Sequence, residues 1–86
     1  MITEEQAAVE RMKELVCYIA RSIVDAPDQV TITEGEGERG LVLRLEVAPD
    51  DKGRVIGKQG RVAQAMRTLL RVMATRAHTR VQLDIV

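Results

Sequence analysis

Two glycines bracket two polar residues in the segment Gly57-Lys58-Gln59-Gly60, and Arg61 follows directly. Glycine has no side chain, so the backbone there can approach a ligand closely. We predict that Arg61 begins a helix, whose free N-terminal amides and dipole favour an anion. Lys58 and Arg61 add positive charge beside those amides. Contact with a sugar–phosphate backbone requires this combination, although the four residues alone are more typical of a ligand-free connection between two helices.

The charges of the chain are segregated, although its formal net charge is zero. Residues 1–50 contain five basic and eleven acidic residues, whereas residues 51–86 contain eight basic and two acidic ones. No acid lies between Lys52 and Arg80. Such asymmetry suggests an anionic partner for the basic half. A solvated helix face that only aids solubility is an equally good explanation on charge alone.

Two other glycine motifs resemble phosphate-binding loops but lack what such loops need. The segment 35–40 has G-x-G-x-x-G spacing, but it lies between two predicted strands, opens no helix and carries glutamates. We predict that it is a mobile hairpin loop. The segment 53–58 has three residues between its glycines where a P-loop has four. Gln59 then replaces the Ser or Thr that would bind magnesium.

Residues that could support catalysis or metal binding are scarce. Ser22 and His78 fall on different predicted elements, and Cys17 has no evident basic neighbour to lower its pKa. One cysteine and one histidine cannot build a metal site. Tyr18 is the only aromatic residue, which argues against modules that stack bases on aromatic rings. We therefore expect a protein without enzymatic activity, metal or cofactor.

The length and composition indicate one globular domain over residues 1–86. The chain is 45% hydrophobic and 30% charged, which is an ordinary balance for a folded soluble protein. No apolar run approaches the roughly 18–20 residues that span a bilayer. The acidic N-terminus, which contains Glu4 and Glu5, lacks the pattern of a signal peptide. The sequence therefore predicts a cytoplasmic protein.

The first half of the chain is predicted to form a helix and a hairpin. Thr3 and Gln6 fit a capping box at the start of a helix over Glu4–Val24. Val30 and Ile32 alternate with threonines in a first strand, and a second strand runs from Leu41 to Val47. The short connection between these strands favours antiparallel pairing.

The second half is predicted to form two helices and a strand. Asp50 or Asp51 can cap a short helix over residues 52–56. A helix over 61–77 and a strand over 79–86 follow, and the long crossover returns the last strand parallel to the second. We expect an α+β domain of order α-β-β-α-α-β. The apolar residues on the predicted inner stripe of the long helix, with those beside it, are Val62, Met66, Leu69, Met73, Ala65 and Val72.

The segment from Asp51 to Arg61, DKGRVIGKQGR, closely resembles the KH-domain signature, in which an I-G-x-x-G core joins two helices. The element order resembles the type II (prokaryotic) KH fold, and the chain is similar over nearly its whole length to the small bacterial single-KH-domain family called KhpA. The resemblance implies a three-stranded mixed sheet backed by three helices, and a groove for about four nucleotides of single-stranded RNA. It also implies a cytoplasmic homodimer that pairs with a larger KH-containing RNA-binding protein.

In this chain, the resemblance implies that the two glycines shape the loop and that Lys58 and Gln59 contact phosphates. It also implies that Val55, Ile56 and residues 62–65 form the apolar floor of the groove. Arg54, Arg67 and Arg71 are further candidates outside the motif itself. The residues that we predict to contact RNA are Gly57, Lys58, Gln59, Gly60, Arg61, Arg54, Val55 and Ile56.

We therefore predict a non-enzymatic RNA-binding protein, an RNA chaperone or regulator of low sequence specificity. The alternative is a dimerisation or docking module of KH fold whose RNA contact is incidental, but such a module has no need for the Gly-Lys-Gln-Gly loop. A ribosome-assembly factor of related fold is a third possibility, although those typically alter the first loop glycine. Homodimerisation would raise the effective affinity, and Val42 and Met66 are candidate interface residues.

Overall fold

The computed structural model describes residues 1–86. It confirms the predicted α+β class, with three helices and a three-stranded mixed sheet. None of its helices combines the length and the apolar character that crossing a membrane would need. The helices and strands are α1 (Glu4–Ile23), β1 (Thr31–Gly37), β2 (Gly40–Glu46), α2 (Lys52–Ile56), α3 (Arg61–Arg76) and β3 (Val81–Ile85).

The sheet has the order β1-β2-β3, and both predicted pairings are confirmed. Strands β1 and β2 pair antiparallel, with Leu45 opposite Ile32, and strands β2 and β3 pair parallel, with Leu83 opposite Leu43. The prediction of a mobile loop over 35–40 is wrong. Strand β1 continues to Gly37 because each residue from 35 onward still finds a partner on β2, so only Glu38 and Arg39 form the turn.

Local signals placed the helix ends to within one residue. The capping box on α1 is present: the Gln6 amide donates to Thr3 Oγ1 at 3.1 Å, and the Thr3 amide donates to Gln6 Oε1 at 2.9 Å. Helix α1 ends before Val24, whose backbone is extended, and α3 ends before Ala77. Strand β3 is shorter than predicted at its start because the Thr79 amide, after a turn with His78 at φ +56°, donates to the Ala74 carbonyl oxygen at 2.9 Å and not to the sheet.

The core lies between α1, α3 and the helix-covered face of the sheet. Met12 and Val16 of α1 meet Leu43 and Leu45 of β2 there, all fully buried. At the edge of this face, Lys13 Nζ lies 2.7 Å from Glu34 Oε1 and 2.9 Å from Glu10 Oε1. Hydrogen bonds to Glu34 and then Glu10 hold the pKa of Lys13 above its usual value, because they stabilise the charged amine.

The buried side of α3 differs from the predicted stripe. Met66 is buried as expected, but Leu69 and Val72 are 46% and 56% exposed. The apolar arc of α3 is wider than the surface that α1 and the sheet cover, so part of it remains in solvent. Met66, with 2% exposure, is therefore unavailable as an interface residue. The buried residues of α3 are Ala63, Met66, Leu70 and Ala74.

Candidate nucleic-acid interface

The connection between α2 and α3 depends on Gly57. Its φ is +80°, a conformation that side chains disfavour. A Cβ built there would lie 2.5 Å from Val62 Cγ2 and 2.9 Å from the Val62 backbone nitrogen. Because one of these neighbours is backbone at the start of α3, the two helices can approach this closely only if residue 57 is glycine.

Gly60 has a different role from Gly57. It also has positive φ, at +73°, and Gln59 before it lies at +58°. The Gly60 amide donates to the Gly57 carbonyl oxygen at 3.1 Å, which closes the turn. A Cβ at Gly60 would meet no atom within 4 Å. Its backbone therefore faces open space, where a ligand can approach without meeting a side chain.

The side chains around this turn leave positive charge exposed. Lys58 and Gln59 are exposed, and Lys58 forms no ion pair. Arg61 Nη2 donates to Gln59 Oε1 at 3.2 Å, which holds these two side chains together. No side chain caps the N-terminus of α3, and its first turn contains no acid. The amides and the helix dipole therefore favour an anion at this turn.

Arg54 differs from Lys58, because acidic neighbours neutralise its charge. Its Nη2 atom lies 3.2 Å from Asp25 Oδ2, and its Nε atom lies 3.7 Å from Asp51 Oδ1. These contacts tie α2 to the segment that follows α1. The structure therefore gives Arg54 a positioning role, and its contact with RNA stays a prediction.

The apolar floor is narrower than the sequence predicted. Val55 is fully buried in the core and Ala63 is 2% exposed, so neither can touch a ligand. Their place in the core follows from the packing of α2 and α3, which turns these residues inward. Ile56 and Val62 are half-buried and remain accessible beside the loop. The assignment of Val55 to RNA contact stays a prediction, and the burial of its side chain argues against it.

The carboxylate of Asp51 anchors the start of α2. It is 2% exposed and accepts hydrogen bonds from the backbone amides of Asp25 at 3.0 Å and Ala26 at 3.1 Å. The prediction that an aspartate side chain caps α2 is wrong, because neither Asp50 nor Asp51 makes that bond. Asp51 instead joins the end of α1 to the helix that precedes the glycine loop. The partners lie about 25 residues apart in sequence, so no local signal could reveal this contact.

Arg67 and Arg71 lie on the side of α3 that faces strand β3. Arg67 Nε donates to the Leu83 carbonyl oxygen at 3.2 Å, and thus satisfies an acceptor of this edge strand. Arg71 is exposed. A groove of about 360 Å³ runs between the helix and the strand. No group of three or more His, Cys, Asp or Glu side chains is placed to hold a metal ion.

The elements follow the order α-β-β-α-α-β along the chain, and the helices pack on a mixed three-stranded sheet. This arrangement, with a glycine turn between two of the helices, defines a KH domain. The family model described as "KhpA/KhpB, KH domain" matches residues 13–85. The chain therefore belongs to the KhpA/KhpB family of KH domains.

Curated relatives agree with this family. The RNA-binding protein KhpA of Clostridium acetobutylicum is 48% identical over 75 residues, which cover 87% of this chain and 100% of the relative. The RNA-binding protein KhpA of Treponema pallidum is 50% identical over 74 residues, which cover 86% of this chain and 92% of the relative. No solved structure gave a significant match.

Proposed function

We propose that this chain is a non-enzymatic protein that binds single-stranded RNA through the Gly57–Gly60 turn. The observation that carries this proposal is the open backbone at Gly60 beside the uncapped, acid-free N-terminus of α3. Lys58 supplies an unpaired positive charge at the same place. Membership of an RNA-binding KH family supports the same ligand.

The chemistry of the turn favours binding with low sequence specificity. Lys58, Gln59, Arg61 and the loop amides would contact phosphates, which carry no direct sequence information. The half-buried Ile56 and Val62 and the exposed Ala65 offer a small apolar surface to bases. Residues 1–86 would act as one KH domain with one small groove, so binding by a single chain is weak. These properties suit an RNA chaperone or regulator in the cytoplasm.

Fluorescence anisotropy with a short pyrimidine-rich RNA tests this function. We expect binding that weakens steadily as salt rises, because contacts to phosphates release counterions. No binding at low salt would contradict the proposal and favour the docking-module alternative. Recovery of crosslinked RNA from cells, with the protein copurified, would identify the RNA and test for a larger KH-containing partner.

We also propose that the chain forms a homodimer through the outward face of α3. Leu69 and Val72 lie one turn apart on this face and are among the few large apolar side chains exposed away from the termini. A second copy presents the same apolar pair, with the uncharged Thr68 beside it, so the contact can be isologous. Two RNA sites in one particle would raise the effective affinity without new contacts.

The dimer has a direct test in the substitution Leu69→Asp. The parent is expected to scatter light as a particle of about twice the 9.6 kDa chain mass. The variant is expected to be monomeric with an unchanged fold, because residue 69 is largely exposed and a charge there opposes self-contact. A parent with the mass of one chain at high micromolar concentration would exclude the homodimer.

A further inference from the structure

A second group of positive charges lies toward the end of α3 that is remote from the glycine turn. Arg39 at the tip of the β1–β2 hairpin, Arg71 on α3 and Arg80 before β3 line one shallow groove of about 320 Å³. No carboxylate lines this groove. We call these three residues the distal arginine cluster.

The backbone holds Arg39 and Arg80 close together. The Leu41 amide donates to the Arg80 carbonyl oxygen at 3.1 Å. Gly40 has a φ of +123°, and a Cβ there would lie 2.7 Å from that same oxygen and 3.0 Å from Arg80 Cβ. Only glycine permits this approach. The hairpin tip is therefore fixed beside the start of β3, and the cluster is built on ordered backbone.

The three guanidinium groups have no acidic partners. The ion pairs of the structure involve only Lys13 and Arg54 as cations, and none reaches the distal arginine cluster. Arg39, Arg71 and Arg80 are all exposed and form no side-chain hydrogen bonds. The Glu5 carboxylate accepts a hydrogen bond at 3.1 Å from Oγ1 of Thr79, which lines the groove. The three arginines outnumber this carboxylate and create a positive potential, which attracts a polyanion.

The groove of the cluster is continuous with the groove between α3 and β3. Arg71, Val81 and Gln82 line both. Arg67 lines the part nearer the glycine turn. Arg71 lies ten residues after Arg61, which corresponds to about 15 Å along the helix axis. Arg61, Arg67 and Arg71 therefore place positive charge at intervals along α3, and this basic path leads from the glycine turn to the groove at the hairpin tip.

We propose that RNA held at the Gly57–Gly60 turn continues along this path, and that Arg39, Arg71 and Arg80 bind its phosphates beyond the KH groove. This inference rests on the RNA-binding function proposed above. A KH loop clamps about four nucleotides. The distal arginine cluster therefore contributes only when the RNA is longer, and it increases affinity without adding sequence specificity, because it contacts phosphates.

The test compares RNA of about four and about ten nucleotides, bound by the parent and by the double variant R39A/R80A. Alanine at residue 80 keeps the Cβ and the carbonyl that contact Gly40 and Leu41, so the fold is preserved. The control is R11A/R44A, which removes the same charge from two exposed arginines outside the groove.

We expect R39A/R80A to bind the longer RNA about tenfold more weakly at low salt, and to lower its salt slope by about 1.4, since each phosphate contact on a single strand contributes about 0.7. The shorter RNA should bind equally to all three proteins. The inference is wrong if the parent gains nothing from longer RNA, or if R39A/R80A binds both lengths like the parent. The inference is also wrong if R39A/R80A binds the short and the long RNA equally more weakly than the parent. It is wrong as well if the variant no longer self-associates but binds the long RNA as tightly as the parent.

Failure of the proposed function gives a different result. If the K58D/Q59D variant still binds the shorter RNA like the parent, the glycine turn is not the RNA site, whatever the distal arginine cluster does. If K58D/Q59D loses the shorter RNA and R39A/R80A keeps the longer RNA at full affinity, the function stands and only the extended path is excluded.

Discussion

Replacing Lys58 and Gln59 with aspartate is expected to abolish RNA binding and leave the fold intact. Both side chains are exposed, and neither contributes to the core, so the change in stability should be small. Two negative charges would then lie where a phosphate must approach, against the amides and dipole at the start of α3. The expected loss is at least about tenfold in affinity at low salt.

This variant is measured by fluorescence anisotropy with a short RNA, alongside thermal melting. Arg11→Asp with Gln29→Asp is a matched control, because it makes the same change in charge at two exposed residues remote from the turn in sequence. The control should bind RNA nearly as well as the parent. If the two double variants bind equally, the loss reflects net charge and not the Gly57–Gly60 turn.

Replacing Asp51 with alanine is expected to destabilise the protein by about 3 kcal/mol, since hydrogen bonds to a charged group each contribute roughly 1.5–3 kcal/mol. The substitution leaves the amides of Asp25 and Ala26 without their acceptor and removes an ion-pair partner from Arg54. For a domain of this size, the melting temperature should fall by roughly 12–24 °C.

Asp50→Ala is the matched control for this stability prediction. Asp50 is adjacent, carries the same charge, is exposed and makes no side-chain hydrogen bond. Its replacement should change stability by less than about 0.5 kcal/mol. Asp51→Asn should fall between the two, because its amide keeps one acceptor and places a donor against the second backbone amide. Equal melting of D50A and D51A would show that the buried carboxylate is not the anchor.

The fold class and the glycine turn were accessible from sequence because both depend on local preferences. Capping by Thr3 and Gln6, alternation along Leu41, Leu43 and Leu45, and the need for glycine at positive φ each involve residues that are neighbours in the chain. These signals predict the type and order of elements. The KH signature then indicates which connection is the candidate RNA-binding site.

Local preferences did not decide which side of α3 is buried. Leu69 and Leu70 are adjacent and chemically identical, yet Leu70 is 1% exposed and Leu69 is 46% exposed. The apolar residues of α3 occupy a wider arc of the helix surface than the core buries. Burial depends on where α1 and the sheet lie against the helix, and that is a property of the packed structure.

Local sequence preferences also did not reveal which partners the charged residues have. Asp50 and Asp51 are indistinguishable as neighbours in sequence, but only Asp51 reaches the amides that follow α1. Arg39 and Arg80 lie about forty residues apart and meet because Gly40 approaches the start of β3. The sequence alone determined the elements, their order and the glycine turn. Only the tertiary structure decided these partners, because long-range contacts depend on how the elements pack.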